Sequence, residues 1–326
     1  SIRRRQRQMC IRDSPNPTMP KNRKGFKFIY LQMKRIYAVV TFFISFLLNV
    51  DSKRVDIVHV HTPMHFLIIW WSNFKKIPTF LSIHGSDYHR IIESKFYRIL
   101  LGDIRNINCV SQSDIYGIQK AFPNAKVNLI SNGVDRELFV SENQLDYEDT
   151  ILGIGTLRWQ KDFKSLIKAF DKLTDIHDSW KLKIIGEGDE RESLMQLISD
   201  LGKEDKIFLM GSLSRHELSK ELKKAKIFVL SSVTEGLPKA LLEAMSAKCA
   251  CISTDVGDCK RVIGDNGIVV NKEDTDALSY AMSELMGNND LIDYFALKAS
   301  DESKKYTWQA YIEKHEALYK QEYKLS

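Results

Sequence analysis

Two glutamates, Glu235 and Glu243, stand eight positions apart around a Gly236-Leu237-Pro238 turn. A carboxylate accepts paired hydrogen bonds, so two of them in one cleft suit the hydroxyls of a sugar and a ribose. The N–H groups of Gly236 and Leu237, if left free ahead of a helix, suit an anion such as a diphosphate. Together these residue types fit a sugar nucleotide.

The elements that must position them read as strand, loop and helix. Lys226-Ile227-Phe228-Val229-Leu230 is an apolar run of strand length. Pro238 suits the first turn of a helix, and Ala240, Leu241, Leu242, Ala244 and Met245 continue it with good helix formers. In an open parallel sheet such a loop sits at the carboxyl ends of the strands, where ligands bind. The bland reading is a plain loop before a half-buried helix with a solvated glutamate; the Ser-x-x-Glu-Gly-Leu-Pro context argues against it.

That context resembles the Glu-x7-Glu signature of the retaining glycosyltransferases of family 4, in its form Glu-Gly-Leu-Pro followed by Glu-Ala-Met. The resemblance implies that Glu235 contacts the donor sugar and Glu243 the ribose hydroxyls. It extends to Gly153-Ile154-Gly155-Thr156-Leu157-Arg158-Trp159-Gln160-Lys161-Asp162, where Lys161 matches a family lysine that holds the donor diphosphate. Arg158 is assigned beside it, two places beyond the usual arginine position at Thr156. The family glycine after the lysine is Asp162 here, which implies a differently shaped loop. His84, in His84-Gly85-Ser86-Asp87 after a strand, matches the family's active-site histidine beside the donor sugar; its plain alternative is a loop histidine capping local backbone. Gly186-Glu187-Gly188-Asp189 resembles the loop beside the nucleotide base, with an ordinary strand-to-helix turn as the alternative.

Three further stretches carry the resemblance less directly. Asn132-Gly133-Val134-Asp135 matches a family turn that closes the first domain, and Asn-Gly marks a turn on physical grounds alone. His59 and His61 share one face of a strand by alternation and read as satisfied strand-end side chains ahead of a metal pair. In Asp255-Val256-Gly257-Asp258-Cys259-Lys260-Arg261, the family's glutamate is replaced by Arg261, which leaves the sugar's identity open.

A chain of 326 residues points to two domains. The expected fold class is α/β, of the GT-B type: two Rossmann-like domains with parallel sheets facing a cleft, and a C-terminal helix crossing back to the first. Residues 1–20 are expected to be a non-native or disordered arm. Residues 21–142 form an incomplete acceptor-side domain, completed by a crossing helix at 305–326, and 150–304 form the donor domain. The arm's string from Arg5 to Ser14 looks like translated adapter sequence, and the family's Gly-rich first strand and loop are missing, so the chain is expected to be truncated at its N-terminus.

Of the formal charge of +6, the arm's five arginines against Asp13 supply +4, so nucleic acid is not indicated. Five scattered cysteines without metal spacing suit reduced thiols and a cytoplasmic protein. The apolar run Ile36 to Asn49 is shorter than the ~20 residues needed to span a bilayer and reads as a buried helix, leaving open a peripheral contact at the inner face of the plasma membrane.

The expected function is transfer of a hexose or N-acetylhexosamine from a nucleoside diphosphate sugar to a surface polysaccharide or lipid-linked glycan acceptor. No cofactor and no metal are expected. The alternatives are a GT-B-type nucleotide-sugar epimerase and a nucleotide- or glycan-binding protein without turnover.

Overall fold

A computed structural model describes residues 24–102, 104–140 and 147–323. The expected arm and most of the acidic stretch before Thr150 lie outside the described residues. The chain divides into two compact units, residues 1–50 and 51–326. The first unit contains α1 (Lys24–Asn49). Taken by itself, this helix buries none of its described side chains, and Tyr37, Ile44 and Leu48 are exposed, so the expectation of a buried helix is not met within its own unit. Among the described residues, no helix is long and apolar enough to cross a membrane.

The second unit carries two parallel sheets. The first is built from β1 (Val58–Val60), β2 (Thr79–Ile83), β3 (Asn106–Cys109) and β4 (Lys126–Leu129), in that spatial order. Between them run α2 (Phe66–Phe74), α3 (Gly85–Glu93), α4 (Lys95–Leu100) and α5 (Ile115–Ala121); α6 (Arg136–Phe139) follows.

The second sheet has six strands: β5 (Glu148–Ile154), β6 (Lys181–Ile185), β7 (Ile207–Gly211), β8 (Ala225–Leu230), β9 (Ala250–Thr254) and β10 (Gly267–Val270). They alternate with α7 (Phe163–Asp171), α8 (Arg191–Asp200), α9 (Arg215–Lys224), α10 (Lys239–Ser246) and α11 (Cys259–Ile263). After β10 come α12 (Thr275–Met286) and α13 (Asn289–Ser303).

Strand alternation divides the second core between the two faces of its sheet. Ile151, Ile227, Val229 and Ile252 pack with Leu166 and Phe170 of α7 and Met282 of α12. Their neighbours Leu152, Phe228, Leu230 and Cys251 pack on the other side with Leu241, Leu242 and Met245 of α10. Both faces are therefore covered, which is why these strands read as continuous apolar runs.

The spatial order β10-β9-β8-β5-β6-β7 reverses direction between β5 and β8. At such a switch point the loops leaving two adjacent parallel strands diverge and open a crevice. The loop after β5 carries Lys161 and the loop after β8 carries Glu235.

The chain returns to the first sheet through α14 (Trp308–Tyr323). The Val134 N–H donates to the Tyr306 carbonyl at 2.8 Å, and Val134 bridges to Thr307. A Cβ on Gly133 would lie 2.6 Å from the Trp308 nitrogen, so the Asn-Gly turn admits the crossing segment only because it lacks a side chain there. Beyond it, the Tyr319 ring packs edge-on against Phe80, and Lys126 reaches Gln321 at 3.0 Å.

Candidate active site

Gly155 makes room for Lys161. A Cβ at Gly155 would meet the lysine's methylene stem at 3.0–3.2 Å, so the stem crosses the glycine and delivers Nζ to Glu235 Oε1. The same carboxylate oxygen accepts from Ser232 Oγ at 2.7 Å. Glu235 is only 12% exposed, and this pair with its hydroxyl donor is what compensates a charge placed there. The two loops are also tied by backbone, with Val233 N–H donating to the Gln160 carbonyl at 2.9 Å.

Gly236 and Leu237 follow, with Leu237 buried, and Pro238 caps α10 rather than lying inside its first turn. A Cβ at Gly236 would rest 3.7 Å from Gly85 Cα and 3.8 Å from Ser111 Cβ, which places this loop against the first sheet's loops.

Glu243 lies in α10, 15% exposed, with Arg215 of α9 at 3.9 Å. Burial raises its pKa, opposed by the charges of Arg215 and Lys239. Lys161 and Glu235 are thus brought together, while Glu243 faces a different cation. Arg158 is 59% exposed and lies 4.0 Å from Asp189 in the loop after β6.

Gly186 and Gly188 are demanded by packing whatever else they do. Gly186 has φ +147°, and a Cβ there would fall 1.8 Å from the Gly155 carbonyl oxygen; one at Gly188 would fall 2.3 Å from that of Leu157. The loops after β5 and β6 touch backbone to backbone, so the plain-turn alternative already accounts for both glycines.

His84 precedes α3 without capping it, and is half-buried. Burial depresses its pKa; Asp87 opposes the shift, and Lys239 at the start of α10 adds to it. Asp87 pairs with Arg90 at 3.5 Å. The His84 ring stacks on His61 at 5.8 Å, His61 on His59 at 4.2 Å, and His59 on His315 of α14 at 5.1 Å. His59 is hydrogen-bonded on both ring nitrogens, to Tyr319 and to Ser82. Burial, then the neighbouring imidazoles, drive its pKa down to about 3. This places His59 as a satisfied side chain. His315 donates Nδ1–H to the Tyr311 carbonyl at 3.0 Å, and its buried Nε2 has no partner. Among the described residues, no group of three or more His, Cys, Asp or Glu could hold a metal ion.

Asp258 is a site residue that sequence reading missed. It is buried and accepts from Ser111 Oγ at 2.9 Å, Gln112 N–H at 2.9 Å and Ser113 N–H at 3.2 Å, all from the first sheet's half. Arg261 donates to it at 2.6 Å and to the Tyr306 hydroxyl at 3.4 Å. The arginine that replaces the family glutamate is thus the counter-charge of a carboxylate that spans both halves. Gly257, with φ +53°, lets this loop pass under Glu235 and Gly236, whose carbonyl oxygens a Cβ would approach to 2.4 and 2.5 Å.

Comparison with known proteins agrees with this geometry. The profile of glycosyl transferases group 1 matches residues 135–301, and that of glycosyltransferase family 4 matches 7–138. An uncharacterized glycosyltransferase of Methanocaldococcus jannaschii is 28% identical over 84% of this chain and 77% of its own length. The gpi3 component of the Schizosaccharomyces pombe phosphatidylinositol N-acetylglucosaminyltransferase is 24% identical over 90% of this chain and 69% of its own. The Anabaena HepE protein, solved in complex with UDP, superposes with a TM-score of 0.72 at 14% identity, covering 81% of this chain and 78% of its own. A group 1 profile spanning half the chain, a GT-B architecture and a crevice that brings Lys161 to Glu235 converge: the protein belongs to the glycosyl transferases group 1 and is a GT-B glycosyltransferase.

Proposed function

We propose that this transferase takes a hexose or N-acetylhexosamine from a nucleoside diphosphate donor and transfers it, with retention, to a hydroxyl of a glycan or lipid-linked acceptor. The observation that carries the reading is the Lys161–Glu235 pair at the switch point. A cation and a carboxylate that neutralise each other in the free protein can each be claimed by one part of the donor. Lys161 turns to the diphosphate, and Glu235, still held by Ser232, accepts the sugar's hydroxyls. Glu243 takes the ribose hydroxyls, and the amides of Gly236 and Leu237 face the phosphates. His84 lines the sugar's other side.

In this scheme the bond from the anomeric carbon to the phosphate oxygen breaks, and its electron pair leaves with the diphosphate. The acceptor oxygen bonds to the same face of that carbon, and its proton passes to the departing phosphate oxygen. Lys161, joined by Arg158 if the latter swings from Asp189, offsets the charge gathering on the leaving group, the task a metal would otherwise perform. UDP is the first nucleotide to test, given the HepE complex.

Glu243→Ala is expected to weaken UDP binding by roughly 2–4 kcal/mol, since two charge-assisted hydrogen bonds are lost, and far more than Lys161→Arg does. Calorimetric titration reads this, and equal affinity for Glu243→Ala and the parent rejects the ribose assignment. Mass spectrometry of the products from a panel of UDP- and GDP-sugars tests the reaction itself. An isomerised donor with no transferred sugar would overturn the transfer reading.

A further inference from the structure

An open cavity of about 890 Å³ lies beside the donor residues, at the upper end of the roughly 300–1,000 Å³ usual for small-ligand sites. On one side it is lined by Trp159 and Gln160, which immediately precede Lys161, and by Val233 and Thr234, which immediately precede Glu235. Its other wall is His89 and Glu93 of α3, the helix that His84 precedes. Gly186, Gly188 and Glu243 do not line it, although Glu190, at the start of α8, does; Lys161 and Glu235 directly follow its lining residues.

Two features of the wall suit a ligand. Trp159 is 65% exposed, and among the described residues no ring or cation stacks on it. A flat aromatic face open to a polar cavity is the surface on which the C–H face of a sugar ring packs. Gln160, on the same wall, has a buried Oε1 without a hydrogen-bond partner, an acceptor that a small turn of the side chain would offer to an incoming hydroxyl.

Charge selects among ligands. Lys164 is engaged with Glu190 at 3.0 Å, and Asp162 caps α7. Glu93 lies 4.0 Å from His89, and with Glu273 and Lys272 the wall carries four carboxylates against two lysines. A polyanion or a second nucleotide would be repelled, whereas a neutral polyol finds acceptors and donors together.

We propose that this cavity is a subsite for a neutral oligosaccharide: Trp159 stacks on a sugar ring of the acceptor glycan, next to the ring that receives the transfer. Gln160 and Glu93 accept that ring's hydroxyls. The word acceptor rests on the transfer reading above; the binding of neutral glycan does not.

The test is a printed array of neutral and charged glycans, from single sugars to hexasaccharides, probed with the full 326-residue chain in the presence of UDP. The parent is expected to retain neutral glycans of two or more sugars. Trp159→Ala should weaken that retention roughly threefold to tenfold, and Trp159→Tyr should preserve most of it. The UDP dissociation constant and the melting temperature should be the same for all three proteins, which separates a lost platform from a lost fold. Retention of no neutral glycan by the parent, or equal retention by Trp159→Ala, overturns the proposal. If neutral glycans bind through Trp159 but no donor sugar is transferred to them, the transfer reading fails and the subsite stands.

Discussion

Asp162 shows what an aspartate does where the resemblance expects a glycine. The resemblance placed a glycine here and implied an altered loop. The structure places Asp162 in the left-handed region at φ +46°, ψ +46°, a conformation glycine adopts freely and aspartate tolerates. The carboxylate then caps α7, accepting from Ser165 N–H at 3.3 Å, which glycine cannot do. Two variants separate these roles. Asp162→Gly loses only the cap and should cost a few tenths of a kcal/mol. Asp162→Ala loses the cap and keeps a strained Cβ, so its cost should be about 1–3 kcal/mol, read from urea midpoints. Equal stability of the two variants would show that the backbone relaxes. Residue types in the strand-to-helix loops were legible because Lys161, Glu235 and Gly155 act within one such loop or between adjacent ones. Asp258 was illegible because its partners Ser111 to Ser113 lie about 145 residues away, beyond any local pattern.

At the level of elements, the second sheet was legible nearly strand for strand. Apolar runs such as Ile227 to Leu230 and Leu182 to Ile185 fall inside β8 and β6. Their neighbouring helices follow the 3.6-residue period that covers both faces of a parallel sheet. The first half was less legible. Its strands run only three to five residues and its helices α2 to α5 only six to nine, so each element gives little pattern to read. The α13 helix also went unread, its polar Asn-Asp start resembling a loop until Asn288 is seen to cap it at 3.0 Å. Alternation correctly put His59 and His61 on one face, but it could not supply Tyr319, 260 residues distant, as the partner of His59. That hydroxyl is a polar tie between α14 and the first sheet. Tyr319→Phe should leave a half-buried imidazole nitrogen without its partner and destabilise the protein by about 1–2 kcal/mol, seen as a lower melting temperature. The Ser82 bond to the other ring nitrogen remains, so the ring should keep its stacking on His61. An unchanged melting temperature would mean that water replaces the hydroxyl and that α14 is held by its other contacts, the Phe80 packing, the His59–His315 stack and the Lys126–Gln321 bond.

At the scale of the whole molecule, the contact between the two sheet-bearing halves includes a pair of buried carboxylates. Asp258 is compensated by Arg261, the Ser111 hydroxyl and two backbone N–H groups. Asp114, on the opposite side of the same contact, has a buried Oδ2 with no partner. Burial first, and the nearby Asp258 charge second, raise its pKa to about 6 from an ordinary 3.8, with His89 and the Ser113 hydroxyl pulling the other way. The sign follows from linkage. Between those two values the folded protein holds a proton on Asp114 that the unfolded chain has released, so stability falls as pH rises through this window. Above about 6 the carboxylate is ionised in both states, and the whole cost of burying it beside Asp258 is present. Asp114→Asn carries no such proton and removes that cost while keeping the shape. The variant should therefore melt above the parent at pH 7.5, and its advantage should shrink steadily as the pH is lowered toward 4. Asp258→Asn should behave oppositely at neutral pH, melting below the parent because Arg261 loses its counter-charge and the N–H groups of Gln112 and Ser113 lose a charged acceptor. A pH-independent difference between Asp114→Asn and the parent would mean that Asp114 does not titrate in this window and that the contact between the halves is indifferent to its charge.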